Sequence, residues 1–434
     1  MNFFKKNRRL LILVSVLIVA TLVIIILKPS DQGVSHDPYF AALNGELKKN
    51  GPGRPVIIVD MDRLDKNIVL LKASVKPPLS YRLVVKSLPS IPMVKYIMQK
   101  TGTKKLMVFH QSDLNLLAAQ GFRDVDILLG KPMPINAVRE FYATAPRTMG
   151  FDSARQVQWL IDTPERMKQY FALASEKNIT MRCNIEIDVG LHRGGVTNIN
   201  DLDAMLKIIS NGAGRLKFSG YMGYEPHVAS ALPILKKKET AVRDAYAGMV
   251  ARYREFYDFG KKTYPILFTG DLTFNSGGSQ TYRLFQGEGP VNDVAVGSGL
   301  VKPSDFDTLL LTDHLPALMV AAPVLKRLDG TTVPFLEKIS WIFPLWNPNK
   351  QVTYFLYGGG WRANFYSPKG LEDNSFFGLS TNQSIANGSR KTGLAVDDYI
   401  FLRPTQSEAI MREFGDIVLV RGGKIVDRWP SFPQ

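Results

Sequence analysis

Residues 81–109 read YRLVVKSLPSIPMVKYIMQKTGTKKLMVF. An apolar run ends on Lys86. A proline at position 92 opens an amphipathic stretch, Gly102 closes it, and a second apolar run follows at 105–109. Strand, helix and strand within ~30 residues mark a parallel βα unit, because parallel neighbours need a crossover between them. The same alternation extends in both directions. Apolar, β-rich runs lie at 56–60, 81–86, 105–109, 125–130, 148–151, 180–188, 216–222 and 266–270, with amphipathic stretches between them, including 154–161. Eight such units predict an α/β fold of the (β/α)8, TIM-barrel type rather than an open sheet.

Beyond residue 315 helical periodicity fades. Short β-rich runs separated by Gly-rich turns (358–360 and 422–423) predict a smaller all-β C-terminal domain. The expected organisation is a barrel over 54–315 and a β domain over 316–434, preceded by a linker at 29–53 and a membrane anchor at 1–28.

The anchor is read from residues 10–27, LLILVSVLIVATLVIIIL, an unbroken run of low polarity. At 1.5 Å per residue it spans ~27 Å, enough for a bilayer core. Lys5, Lys6, Arg8 and Arg9 precede it, which keeps the N-terminus cytoplasmic. The expectation is a single-pass N-terminal transmembrane helix in the inner (plasma) membrane, with the body on the periplasmic or extracytoplasmic side. A cleaved signal peptide would show a shorter apolar core and small residues at a cleavage site, and Lys28-Pro29-Ser30 offers neither.

The formal charge is +15, of which residues 1–28 supply five positive charges and no acid. The rest is spread along the body without a Lys/Arg block interleaved with aromatics, so nucleic acid is not an expected partner. Anionic small molecules or lipid headgroups suit such a surface. The single cysteine, Cys183, cannot form an intrachain disulfide and falls in an apolar run, where a buried strand residue is expected before a catalytic thiol.

In this fold the chemistry lies at the carboxyl ends of the strands. Those ends carry Asp60, Lys86, His110, Glu186, Asp188, His192, Arg193, Tyr221, Tyr224, Glu225, His227 and Asp271. Two features stand out. Ser276-Gly277-Gly278-Ser279, read as following the last strand, exposes backbone N–H groups that can cradle an anion, and Gly297-Ser298-Gly299 can close the cup. Lys86 ends a strand that is otherwise almost wholly apolar. Desolvation there favours the neutral amine that adds to a carbonyl, although a solvated strand-end lysine would look the same in sequence. A phosphate cup and an amine at one barrel mouth point to pyridoxal 5'-phosphate (PLP).

These stretches resemble the fold-type III PLP-dependent enzymes, the alanine racemase-like barrels, and within them the D-threonine aldolase and D-serine dehydratase-like family. The resemblance is carried by residues 55–68 (PVIIVDMDRLDKNI), 82–87 (RLVVKS), 186–195 (EIDVGLHRGG), 220–227 (GYMGYEPH), 276–279 (SGGS) and 423–430 (GKIVDRWP). It covers the chain from about residue 54 to the end, in order. It implies a lyase acting on D-configured β-hydroxy amino acids, by retro-aldol cleavage of the D-threonine type or dehydration of the D-serine type. It implies Lys86 as the lysine of the internal aldimine, Arg193 against the cofactor ring and Tyr224 on the pyridine side. Ser276, Gly277, Gly278 and Ser279, with Gly297 and Ser298, would hold the phosphate. His227 is an acid/base candidate or a packing histidine, and His192 a loop-shaping residue. A homodimer is the implied assembly.

One departure bears on metal chemistry. The relatives carry a divalent-metal pair after a proline, and here that stretch is Arg403-Pro404-Thr405-Gln406-Ser407-Glu408. Gln406 and Glu408 take the ligand positions. A neutral amide is a poor zinc ligand, so a catalytic zinc and a zinc-ligand set are not expected, while an oxygen-liganded hard cation at Glu408 stays open. Three other readings remain open. A racemase would need a second acid/base, with Tyr354, Tyr357 and Tyr366 as candidates. The others are a non-catalytic PLP-binding protein and a barrel hydrolase of a phosphate substrate.

Overall fold

The structure, a computed structural model, describes residues 12, 14–16, 18, 26–144 and 150–433. The expected transmembrane run at 10–27 therefore lies mostly outside the described residues. Among the described residues no helix is long and apolar enough to cross a membrane.

The chain forms two compact units. One comprises residues 57–319, 404–422 and 426–434, and the other residues up to 56, 320–403 and 423–425. The first unit extends past the boundary expected at 316. Strand β1 (Val56–Asp60) pairs in parallel with the late strand Asp416–Arg421, with Ile57 opposite Ile417 and Val59 opposite Leu419. The paired residues 57–59 and 417–420 are buried and apolar, so this pairing draws 404–422 into the barrel unit.

The barrel is closed by eight parallel strands: β2 (Ser80–Val84), β3 (Lys105–Val108), β4 (Asp126–Leu129), β5 (Val157–Ile161), β6 (Met181–Glu186), β7 (Leu216–Met222), β8 (Thr273–Ser276) and β9 (Asp293–Val296). Parallel closure agrees with the sequence reading, but three strands differ from the expected set. Residues 56–60 form a strand outside the barrel. Asp60 instead caps the next helix, accepting from the Asp62 and Arg63 amides at 3.0 Å. The expected strand at 148–151 lies partly outside the described residues, and the barrel position is taken by β5, whose stretch had read as helical. All five residues of β5 are buried, so its faces carry no polar alternation to separate strand from helix. Residues 266–270 form a short 3-10 turn and bends, and the strand begins at Thr273. β9 is only four residues long and had no periodic signal of its own.

The barrel floor is polar. Arg82 is fully buried and donates to Asp293 Oδ1 at 2.8 Å and to Asp126 Oδ2 at 2.7 Å. Arg182 reaches Asp126 Oδ1 at 2.6 Å. Burial alone would raise the Asp126 carboxyl, but Arg82 and Arg182 hold it at about 2. The floor is thus a satisfied ion network, as buried charge requires, and the open mouth lies at the opposite ends of the strands. Cys183 sits in β6, fully buried, and burial pushes its thiol well up.

The second unit is built on antiparallel pairing. Strand β10 (Leu318–Asp329) pairs with β11 (Val352–Leu356) and with Tyr399–Pro404, and β11 pairs with Ile385–Gly388.

Candidate active site

Lys86 follows β2 in a 3-10 turn, Val85–Ser87, not in the strand itself. The turn carries its side chain into a cavity of about 160 Å³ at the barrel mouth. Lys86 Nζ lies 2.6 Å from Glu408 Oε1 and 4.1 Å from the centre of the Phe109 ring. Phe109 is accommodated by Gly130: a Cβ there would stand 2.2 Å from the Phe109 ζ carbon. The cavity is lined by Lys86, Arg193, Tyr224, Ser276 through Ser279, Gly297, Ser298 and Glu408, among others. Nine of the ten residues singled out for the site therefore face one space.

The tenth, His227, does not line it. Pro226 faces the cavity, and the short helix Pro226–Ala229 carries His227 into a separate depression with Asp188, Gly190, His192 and Arg252. Burial lowers its imidazole pKa, against the opposing pull of Glu225 and Asp188.

Arg193 is presented by a tight loop. Asp188 accepts from the Gly190 and His192 amides at 2.9 and 3.0 Å and meets His192 Nδ1 at 2.7 Å. Gly195 adopts φ +91°, and a Cβ there would lie 2.7 Å from the Ile187 carbonyl carbon, so the loop closes only on glycine. His192 therefore shapes the loop, and the guanidinium of Arg193 sits 4.7 Å over the Tyr224 ring. Burial, with Glu225 beside it, pushes the Tyr224 hydroxyl up, and Arg193 partly opposes this.

The anion cradle follows β8 and β9, the seventh and eighth barrel strands. Its donors divide into two sets. Ser276 Oγ, the Gly277 amide and the Gly278 amide donate to the fully buried Glu225 carboxylate at 2.6, 3.1 and 3.0 Å, and the Thr281 hydroxyl also donates to it. The Gly297 and Gly299 amides converge on Ser279 Oγ at 3.2 and 3.0 Å. Ser298 Oγ bridges Ser87 and Ser407 at 3.0 and 3.2 Å. At Gly297 a Cβ would meet the Val84 carbonyl oxygen at 2.7 Å, so this turn packs directly on the strand that leads to Lys86. Ser279, Gly297 and Ser298 line the same cavity as Lys86, with Ser279 Oγ itself held by the Gly297 and Gly299 amides. Hydroxyls and a backbone amide on one side and an amine on the other are the donor chemistry that the phosphate and carbonyl ends of PLP require.

Three site features escaped the sequence. Glu225 was visible as a strand-end acid, but nothing marked it as the acceptor that arranges the glycine loop. Phe109 and Gly130 carried no motif. Glu408 was read only as a substitute in a metal pair, whereas it is the ion partner of Lys86. Gln406 points elsewhere, donating to Asp305 Oδ2 at 3.2 Å. Among the described residues no group of three or more His, Cys, Asp or Glu is placed to hold a metal ion. Tyr354 is committed within the second unit, its hydroxyl 2.7 Å from Thr392 Oγ1 with both side chains buried.

The site is thus a lysine and two Gly/Ser turns, the turns following the seventh and eighth strands, at the mouth of a closed parallel barrel. Residues 59–258 match the family described as alanine racemase, N-terminal domain. The chain is similar in structure to D-threonine aldolase from Filomicrobium marinum, with TM-score 0.63, 15% identity, and 87% of this chain and 94% of that one covered. It is similar to D-threo-3-hydroxyaspartate dehydratase from Delftia sp. HT23, with TM-score 0.63, 15% identity and coverage of 88% and 97%. It is also similar to alanine racemase from Bacillus anthracis, with TM-score 0.64, 14% identity and coverage of 87% and 97%. At these identities the likeness is one of fold. No curated protein sequence matches the chain.

Proposed function

We propose that this protein is a PLP-dependent lyase acting on D-configured β-hydroxy amino acids, by retro-aldol cleavage or by dehydration. The observation that carries the reading is the pair Lys86–Glu408 at 2.6 Å, facing the same cavity as the anion cradle. In this reading Lys86 holds the cofactor through its amine. Ser279, Gly297 and Ser298 hold the phosphate, while Ser276, Gly277 and Gly278 give the loop its shape through Glu225. Arg193, stacked on Tyr224, lies along the ring.

When bound, PLP supplies an electron sink that stabilises negative charge at the substrate Cα. The chain's own groups then direct what happens around that carbon. Lys86 Nζ can hold or deliver a proton. Glu408 Oε1, next to it, can accept one, including the proton of a substrate β-hydroxyl whose loss accompanies Cα–Cβ cleavage. Phe109 walls one side of the lysine. The structural likeness to an aldolase and a hydroxyaspartate dehydratase supports this class.

We further propose that the protein sits at the inner membrane with an exported body, on the strength of the apolar run at 10–27 and the basic residues before it, and that it is a homodimer, as the family resemblance implies. Purified protein with added PLP should show visible cofactor absorbance. Incubation with D-threonine, D-serine and L-alanine then separates the outcomes. Glycine plus aldehyde marks an aldolase and pyruvate a dehydratase. Optical inversion alone would mark a racemase, and a coloured but inert protein a cofactor-binding protein.

A further inference from the structure

The second compact unit exposes a concentrated apolar surface that the active-site reading does not use. Residues 335–346 read FLEKISWIFPLW. Phe335 is 96% exposed, Trp341 63% and Leu345 63%, large values for side chains that normally retreat from water. Phe335, Ile339, Ile342 and Trp346 recur at spacings of four, three and four, and all four are exposed. Phe343 extends the patch by packing against Phe376, with ring centres 5.0 Å apart. A soluble surface rarely carries an apolar patch this continuous unless something covers it.

The position of the patch indicates what covers it. The helix Ile342–Trp346 runs into the turn Pro348–Lys350. Within that turn the buried Asn349 side chain donates to the Ser30 carbonyl at 2.9 Å and accepts from the Gln32 amide at 2.8 Å. Ser30 is three residues from Leu27, the end of the apolar run, a reach of roughly 10 Å at most. The aromatic segment is therefore pinned beside the point where residues 10–27 leave off. Lys350 lies over the Phe376 ring at 5.1 Å, and Lys338 sits within the segment. The one acid of the segment, Glu337, is turned onto its own backbone, accepting from the Phe335 amide at 3.0 Å. Tryptophan, phenylalanine and leucine with interspersed lysines are the composition of a segment lying in a bilayer interface.

We infer that residues 335–346, with the exposed Phe376 and Phe377, rest in the headgroup region of the bilayer that holds residues 10–27. The patch thus gives the second unit a lateral seat on the lipid surface in addition to the tether. The inference rests on the anchor reading.

The test uses the full-length chain in vesicles of phosphatidylcholine and phosphatidylglycerol, with and without bromine on the acyl chains. Flotation with the vesicles reports the anchor. Bromine quenching of tryptophan emission reports the patch, because Trp341 and Trp346 would lie near the lipid while Trp159 is buried in the barrel. The expected result is co-flotation, with quenching that is mostly lost in the conservative double variant Trp341→Phe/Trp346→Phe. That variant should keep the wild-type unfolding temperature, since both side chains are exposed. Failure to co-float would overturn both the anchor reading and the inference. Co-flotation with quenching unchanged by the double variant would overturn the inference and leave the anchor standing. Cross-linking of Leu345→Cys between two copies without bromine quenching would assign the patch to self-association and likewise overturn it.

Discussion

Lys86 Nζ and Glu408 Oε1 lie 2.6 Å apart, although 322 positions separate them in the sequence. The contact exists because the stretch 404–422 returns to the barrel unit through the parallel pairing of Asp416–Arg421 with Val56–Asp60. Glu408→Gln keeps the size of the side chain and removes its capacity to accept a proton. We expect cofactor absorbance to persist and kcat to fall by roughly 100-fold, the scale of a lost general base. Stopped-flow turnover on the reactive D-amino acid checks this, and unchanged kcat would remove Glu408 from the mechanism.

Glu225 organises the cradle from behind. Its carboxylate accepts from Ser276, Gly277, Gly278 and Thr281 with no exposure to solvent. Glu225→Gln turns one acceptor oxygen into an NH2 that faces a donor. Leaving a buried donor unmet costs about 1–3 kcal/mol. The variant should unfold at lower temperature and bind PLP more weakly, as read by equilibrium dialysis, without a change in the wavelength of the bound cofactor.

Glu186 ends β6 beside the Arg193 loop. Burial, with Asp162 adding to it, pushes its carboxyl up to about 7. Its folded-state pKa is thus above the unfolded one, so its contribution to stability is fully present below the ordinary value of 4.5 and is lost as pH rises through about 7. Glu186→Gln should raise the unfolding temperature at pH 7 to 8 and leave it unchanged below pH 4.5. Differential scanning calorimetry across that window gives the answer, and a uniform offset at every pH would contradict the assignment.

The barrel floor gives the opposite sign. The Asp126 carboxyl is held at about 2, below its ordinary 3.8, so it stabilises the fold above that ordinary value and the benefit disappears as pH falls towards 2. Arg82→Met removes a fully buried cation from Asp126 and Asp293. Breaking a buried pair from one side costs about 3–5 kcal/mol. Urea unfolding at pH 7 should record that loss, with a smaller difference from wild type near pH 2.

The legible part of the protein was what leaves a periodic or local trace. Strands flanked by amphipathic helices, as at 81–109, declare themselves by alternation. The lysine and the Gly-rich turns declare themselves by residue type. The barrel's exact strand set was less legible because β5 is buried on every residue and β9 is four residues long, so neither carries a period. Val56–Asp60 looks like any barrel strand, and only its long-range partner at 416–421 sets it outside. Glu408 and Glu225 owe their roles to contacts far apart in the chain. His227 stood beside a cavity-lining residue in sequence, yet the short helix at Pro226–Ala229 carries it away from the cavity.

The central claim is that Lys86 holds PLP in the barrel mouth for lyase chemistry on a D-β-hydroxy amino acid. The most direct measurement is visible absorbance of the PLP-loaded full chain and its Lys86→Ala variant, followed by product analysis with D-threonine and D-serine. The wild type should show a visible band that is lost in the variant, and the wild type alone should form glycine and aldehyde, or pyruvate. A wild-type protein that stays colourless with PLP, or a variant that keeps both band and activity, would contradict it.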